Sequence, residues 1–191
     1  GTRRPLRVIE VIEIDGGEVV PELEPEAAVI APEVAFVVSS LMASVVQEGT
    51  GRRAKKLGFW VAGKTGTAAE NRDAWFAGFS RSHAAVAWVG FDRPKPLGRG
   101  ETGGKAALPI WMEAMKAAVE AVESDTSAPV PPRLVEVRTI DKQTGLLATA
   151  DADAESVMEE YFLPGTAPTA YVSTQVLDVD AVALELLVPE V

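Results

Sequence analysis

No cysteine occurs in the 191 residues, which excludes a disulfide framework, a thiolate nucleophile and a Cys-ligated metal. Histidine is nearly as scarce. His83, the only one, falls at a predicted strand edge, and spacing pairs no aspartate or serine with it, so a triad is not expected. No apolar run approaches the roughly 18 residues that a spanning helix needs, and no signal peptide opens the chain. The segment itself is expected to make no membrane contact. The chain starts at Gly1 rather than Met, which suggests a cut-down or processed piece with any export signal or anchor upstream. The lack of cysteine leaves the compartment open.

Basic residues are scarce in the second part of the chain. Residues 1–112 carry 14 basic and 13 acidic groups, whereas residues 113–191 carry 4 basic and 15 acidic ones. That asymmetry suggests two units in different surroundings. An acidic tail repels nucleic acid and anionic lipid, so no nucleic-acid partner is expected. Its plainest role is solubility. With 47% hydrophobic residues the chain has enough apolar material for a core, so disorder is not the default.

Periodicity supplies the elements. Residues 6–14 alternate apolar and polar, and Asp15-Gly16 marks a hairpin turn into Glu18-Val19-Val20. Residues 21–32 read as a connecting loop. Residues 32–48 form a helix, with Pro32 in its first turn and a stripe of Val34, Val38, Leu41 and Val45 flanked by Val37, Met42 and Val46. Residues 58–69, 73–80 and 84–91 read as strands. The last two are apolar on both faces and therefore need cover on both sides. Residues 92–106 read as a loop. Residues 107–123 return to helical spacing with Leu108, Trp111, Met115, Ala118 and Val122 on one stripe. Trp60, Trp75, Trp88 and Trp111 are expected to pack in the core. The stretch Ser124 to Pro132 is the clearest linker. Beyond it, residues 134–149 form a second hairpin around Lys142 to Gly145, followed by a turn at Pro164-Gly165-Thr166.

Lys64 belongs to two motifs at once. Gly58 to Thr65 satisfies the phosphate-loop pattern GxxxxGK[ST]. Physically the match is poor: Phe59, Trp60, Val61 and Ala62 are strand formers, the preceding residues are charged, and helical spacing is absent after Thr65. The other motif is Lys64-Thr65-Gly66-Thr67 inside a strand, one of three elements of the penicillin-recognising serine enzymes. The other two, Ser-x-x-Lys and Ser-x-Asn, occur at none of the serines. A lone strand lysine can also be a solvated edge guard.

The stretches GTGRRA, AGKTGTAAENRDAWFAGF, AWVGFD and LGRGETGGKAALPIW together resemble class A penicillin-binding proteins, the bifunctional peptidoglycan synthases, over Pro32 to Met115. A weaker likeness continues in PPRLVEVRTIDKQTGLLAT and FLPGTAPT. The resemblance implies an α+β fold, an antiparallel sheet flanked by helices as in β-lactamases and transpeptidases but incomplete, with a small β-rich C-terminal appendage. It divides the chain into residues 1–123, the C-terminal portion of a transpeptidase domain, a linker at 124–132, and an acidic appendage at 133–191.

What the resemblance implies chemically is acyl transfer: a serine attacks the D-Ala–D-Ala carbonyl of a peptidoglycan stem peptide, an amine of another stem takes the acyl group, and β-lactams trap the serine. Lys64 would supply charge to the substrate carboxylate, Thr65 and Thr67 hydroxyls, Gly66 room for the substrate backbone, and the Thr67 N–H one oxyanion donor. No metal or cofactor is implied. Nucleophile, glycosyltransferase domain and membrane anchor would precede Gly1, on the outer side of the inner membrane, and this piece alone would be inactive. Strict alternation puts Lys64 on one face and both threonines on the other, so all can serve one cleft only along an edge strand. A non-catalytic module that binds cell-wall peptide or a partner protein is the alternative, and a nucleotide hydrolase a weaker third.

Overall fold

The computed structural model describes residues 1–172 apart from positions 4, 7 and 23. It divides the chain between Val135 and Glu136 into two compact units.

In the first unit, β1 (Thr2–Arg3) pairs with β4 (Ala27–Ala28), and β2 (Ile12–Ile14) with β3 (Gly17–Val19), all antiparallel. Asp15 and Gly16 adopt the positive φ that their dipeptide predicts. The hairpin is shorter than its alternation suggested. Leu6 and Val8 lie outside the ladder and are exposed, because no face of the unit meets them. The β4 strand falls in the stretch 21–32 that reads as a loop.

Helix α1 (Pro32–Gln47) begins at its proline as expected. Its stripe is only partly used: Val46 is buried, whereas Val34, Val38 and Leu41 face outward. A short 3-10 turn at Arg52–Leu57 precedes the sheet, and the strand expected from 58 begins four residues later, at Ala62. The sheet that follows has the order β5-β6-β7, with β5 (Ala62–Thr67), β6 (Asp73–Phe79) and β7 (Ala84–Gly90) antiparallel throughout. A single π-helical turn, Gly103–Ala107, leads into helix α2 (Leu108–Ala121). The helical backbone therefore starts four residues earlier than the apolar stripe signals, because Gly103, Gly104 and Lys105 carry no helical pattern.

Phe76, Leu108, Trp111, Met115 and Val46 form the centre of the core. Phe76 meets Trp111 edge to face at 4.8 Å between ring centroids, and the Trp111 indole N–H donates to the Ala85 carbonyl at 2.9 Å. Both helices serve that one face. On the other face Trp75, Val86 and Trp88 are 44%, 63% and 46% exposed. The expectation of cover on both faces thus fails among the described residues, and with it the core placement of Trp75 and Trp88. Trp88 instead donates to Asp73. The stretch 124–132 lies in the first unit, where the Trp60 N–H donates to Thr126 at 3.2 Å and Arg81 pairs with Asp125 at 3.2 Å.

The second unit is built on β8 (Glu136–Asp141), paired antiparallel with β9 (Val157–Phe162). Here the expected hairpin is present but short, and it is not the main ladder of the strand. The turn at Lys142 to Gly145 forms and closes a short hairpin, in which the Asp141 N–H donates to Leu146, the Ala148 N–H donates to Thr139 and Ile140 bridges Leu147, while the longer ladder partner of β8 comes from further along the chain. The turn at Pro164-Gly165-Thr166 is present, with Gly165 at φ 73° and the Thr166 N–H donating to Leu163. The rest of the acidic appendage, residues 173–191, lies outside the described residues.

Candidate active site

Strand β5 settles which of the two lysine motifs is geometric. Gly63, Lys64 and Thr65 are ladder residues opposite Gly78, Ala77 and Phe76. A phosphate loop must curl and open a helix. The strand does neither, so the phosphate-loop reading is rejected.

Among the described residues β5 has one ladder partner and is an edge strand. Just past its end the Ala68 N–H donates to the Asp73 carbonyl at 2.9 Å. In an antiparallel pair, main-chain groups alternate between partner and opposite side. Those of Ala68, Gly66 and Lys64 therefore point toward β6, and those of Thr65 and Thr67 point to the free rim. The alternation of side chains raised a difficulty over Lys64, and the structure resolves it. The lysine stem folds over the rim, and Nζ donates to the Thr65 carbonyl at 3.0 Å and to Thr65 Oγ1 at 3.3 Å. Ammonium and hydroxyl thus meet on one edge although their Cβ atoms leave opposite faces.

Two further segments converge on that rim. Gly49-Thr50-Gly51 follows α1, and Thr50 Oγ1 lies 2.8 Å from Thr65 Oγ1. Thr102-Gly103-Gly104-Lys105 opens the π-helical turn, and the Gly103 N–H donates to Thr67 Oγ1 at 3.1 Å. Their glycines allow the approach. A Cβ on Gly103 would sit 2.3 Å from the Trp75 carbonyl oxygen and 2.5 Å from that of Gly66, and one on Gly104 would sit 2.9 Å from that of Thr50. The three segments enclose an open cleft of about 360 Å³ lined by Thr50, Thr65, Thr67, Thr102, Gly104 and Lys105. Its lining holds hydroxyls and one cation and no carboxylate, a composition suited to an anion.

Of the four residues that the sequence singled out, Thr65 and Thr67 line the cleft, and Thr50, Thr102 and Lys105, which line it too, were missed. The only signal was that GTGRRA and LGRGETGGKAALPIW stood among the stretches carrying the resemblance. His83 Nδ1 lies 2.9 Å from Ser82 Oγ, a serine that spacing did not pair with it. The pair sits in the turn between β6 and β7, on a segment separate from the cleft. Among the described residues no cluster of His, Cys, Asp or Glu is placed to hold a metal ion.

An antiparallel sheet with helices on it and a Lys-Thr-Gly-Thr edge strand define a β-lactamase/transpeptidase-like fold. The model of the penicillin binding protein transpeptidase domain matches residues 1–116, and that of the penicillin-binding protein 1A C-terminal domain matches residues 130–176. The chain belongs to the penicillin-binding protein transpeptidase family and corresponds to the C-terminal part of its class A members. Penicillin-binding protein 1A of Pseudomonas aeruginosa is 42% identical over 125 residues, 65% of this chain and 15% of that protein. Penicillin-binding protein 1A of Aquifex aeolicus is 37% identical over 166 residues, 86% of this chain and 22% of that protein. The crystal structure of penicillin-binding protein 1A from Haemophilus influenzae superposes with a TM-score of 0.65 at 32% identity, covering 80% of this chain and 23% of the other.

Proposed function

We propose that this chain forms the carboxylate-binding wall of a serine D,D-transpeptidase that cross-links peptidoglycan. The observation that carries the reading is the convergence of the Lys64 ammonium and the Thr65 hydroxyl on the free rim of β5. The substrate is a stem peptide ending in D-Ala–D-Ala, and β-lactams occupy the same rim. The terminal carboxylate is held by Lys64, Thr65 and Thr67, and hydrogen bonds to such a charge contribute roughly 1.5–3 kcal/mol each. Gly66 lets the peptide lie along the strand. The Thr67 N–H, directed to the free rim, acts as one oxyanion donor. Loss of such a donor typically costs on the order of 10²–10³ in rate.

The reaction is an exchange. A serine oxygen bonds to the penultimate D-Ala carbonyl, the terminal D-Ala leaves as an amine, and an amine of a second stem displaces the serine. No cofactor enters the balance. The chain contains no Ser-x-x-Lys, so that serine and its lysine come from outside this sequence. The parent acts on the outer face of the inner membrane, anchored by a segment that also lies outside it. In this reading residues 1–123 complete the transpeptidase domain, 124–132 link, and 133–191 are a separate appendage.

The test uses a fluorescent penicillin. In the full-length protein Lys64→Met is expected to slow covalent labelling about 10- to 150-fold, the worth of one charge-assisted hydrogen bond. The chain by itself is expected to take no label. Labelling of the isolated chain, or a Lys64→Met protein that labels at the parent's rate, overturns the reading.

A further inference from the structure

The Thr50 hydroxyl has no role in the reading above, yet it lies 2.8 Å from the hydroxyl that reading needs most. We propose that Thr50 is a positioning residue for the substrate anion: it donates to Thr65 Oγ1 and thereby turns the Thr65 proton into the cleft. The inference rests on the carboxylate-binding role given to β5.

Proton counting supports it. A threonine hydroxyl has one proton and two lone pairs, and an ammonium group only donates. Lys64 Nζ therefore occupies one lone pair of Thr65 Oγ1, at 3.3 Å. When Thr50 donates, it occupies the second. The Thr65 proton then has no acceptor among these neighbours and is left for an anion in the cleft that both threonines line. Thr67 is constrained in part, since its oxygen gives one lone pair to the Gly103 N–H at 3.1 Å. The freed Thr65 proton, the Thr67 hydroxyl and the Lys105 side chain thus line one anion site before any ligand arrives. Donors fixed beforehand need no reorganisation when charge binds.

Thr50 is placed for this task by its neighbours. Gly51 behind it is buried, and its own carbonyl lies against Gly104 so closely that a Cβ there would come within 2.9 Å. The residue is wedged between β5 and the turn that opens α2, although its side chain reaches the open cleft.

The decisive comparison is between a penicillin with a free carboxylate and its methyl ester, reacted with the full-length protein. Thr50→Val keeps the shape and removes the donor. It is expected to slow acylation by the acid about 2- to 12-fold, equivalent to one net hydrogen bond, and to leave the ester's rate unchanged. Thr50→Ser is expected to restore the acid's rate. Should valine disturb packing, Thr50→Ala gives the same selective loss. Equal slowing of acid and ester would make Thr50 merely structural and overturn the proposal, as would no slowing at all. Lys64→Met and Thr65→Val run alongside. If they discriminate acid from ester and Thr50→Val does not, only this inference fails. If they do not discriminate either, the carboxylate-binding reading fails with it.

Discussion

Gly103 shows how much of the cleft depends on an absent side chain. The residue is buried, and a Cβ added to it would run into the carbonyl oxygens of Trp75 and Gly66, backbone atoms that cannot step aside. Gly103→Ala is expected to destabilise the first unit by about 1–3 kcal/mol or more through overpacking. It should also part the Gly103 N–H from Thr67. All four tryptophans, Trp60, Trp75, Trp88 and Trp111, lie in that unit, so the midpoint of urea unfolding followed by tryptophan emission measures the loss. Gly145 is the contrast: nothing lies within 4 Å of its would-be Cβ, and its φ is +71°. Gly145→Ala is expected to cost only the left-handed conformation, about 1–2 kcal/mol, and to leave tryptophan unfolding unchanged because it belongs to the second unit. Lys64 to Thr67 were legible in the sequence as a contiguous motif. Thr50 and Gly103 were not, since each matters through a contact with β5 across 15 and 36 residues of chain, and no local pattern encodes such a contact.

Elements were legible where a run of residues decides its own backbone. The three strands of the central sheet and both helices follow from periodicity, and the ends of α1 follow from Pro32 and Gly49. Partnership was legible only in part. The turn after β8 forms because the Asp141 carboxylate accepts from the Thr144 hydroxyl and N–H at 2.8 and 2.7 Å and from the Gln143 N–H at 3.1 Å. That is local chemistry. The addition of β9 as the longer ladder partner, beside the short pairing with residues 146–148, is tertiary. These bonds, the Thr144 hydroxyl first, hold the Asp141 carboxyl below its ordinary value of 3.8. A carboxyl depressed in the folded state stabilises it above the unfolded-state value, and that contribution is lost as pH falls through the folded value. The turn is therefore expected to stay intact at pH 5 and to loosen only below about pH 3.8. The Thr144 amide signal, followed by NMR titration, should shift in that acid range, and Asp141→Ala should abolish the dependence. In the first unit the corresponding lever is Trp111. Trp111→Phe leaves the Ala85 carbonyl without the indole donor and is expected to cost about 1–3 kcal/mol, read by the same urea midpoint.

At the scale of the whole molecule the sheet divides its two faces unequally. One face carries the turn after α1, the π-helical turn and α2, with Phe76 and Trp111 sealed between them. The other presents Trp75 and Trp88, 6.0 Å apart, beside Val86. Both strands read as apolar on both faces, and the physical rule that such strands need cover is sound. Its consequence for this chain is an apolar surface of the kind that soluble monomers rarely leave open. The Trp88 bond to Asp73 fixes the indole without burying it. The chain by itself is therefore expected to bind a hydrophobic fluorescent dye and to self-associate as its concentration rises. Val86 is the most exposed of the three and contributes nothing to the core, so Val86→Lys should weaken both effects while the urea midpoint holds within about 0.5 kcal/mol. Sedimentation velocity across a concentration series separates the outcomes. A Val86→Lys chain that associates as strongly as the parent would place the contact elsewhere, and the outward residues of α1, Val34, Val38 and Leu41, would be the next surface to charge.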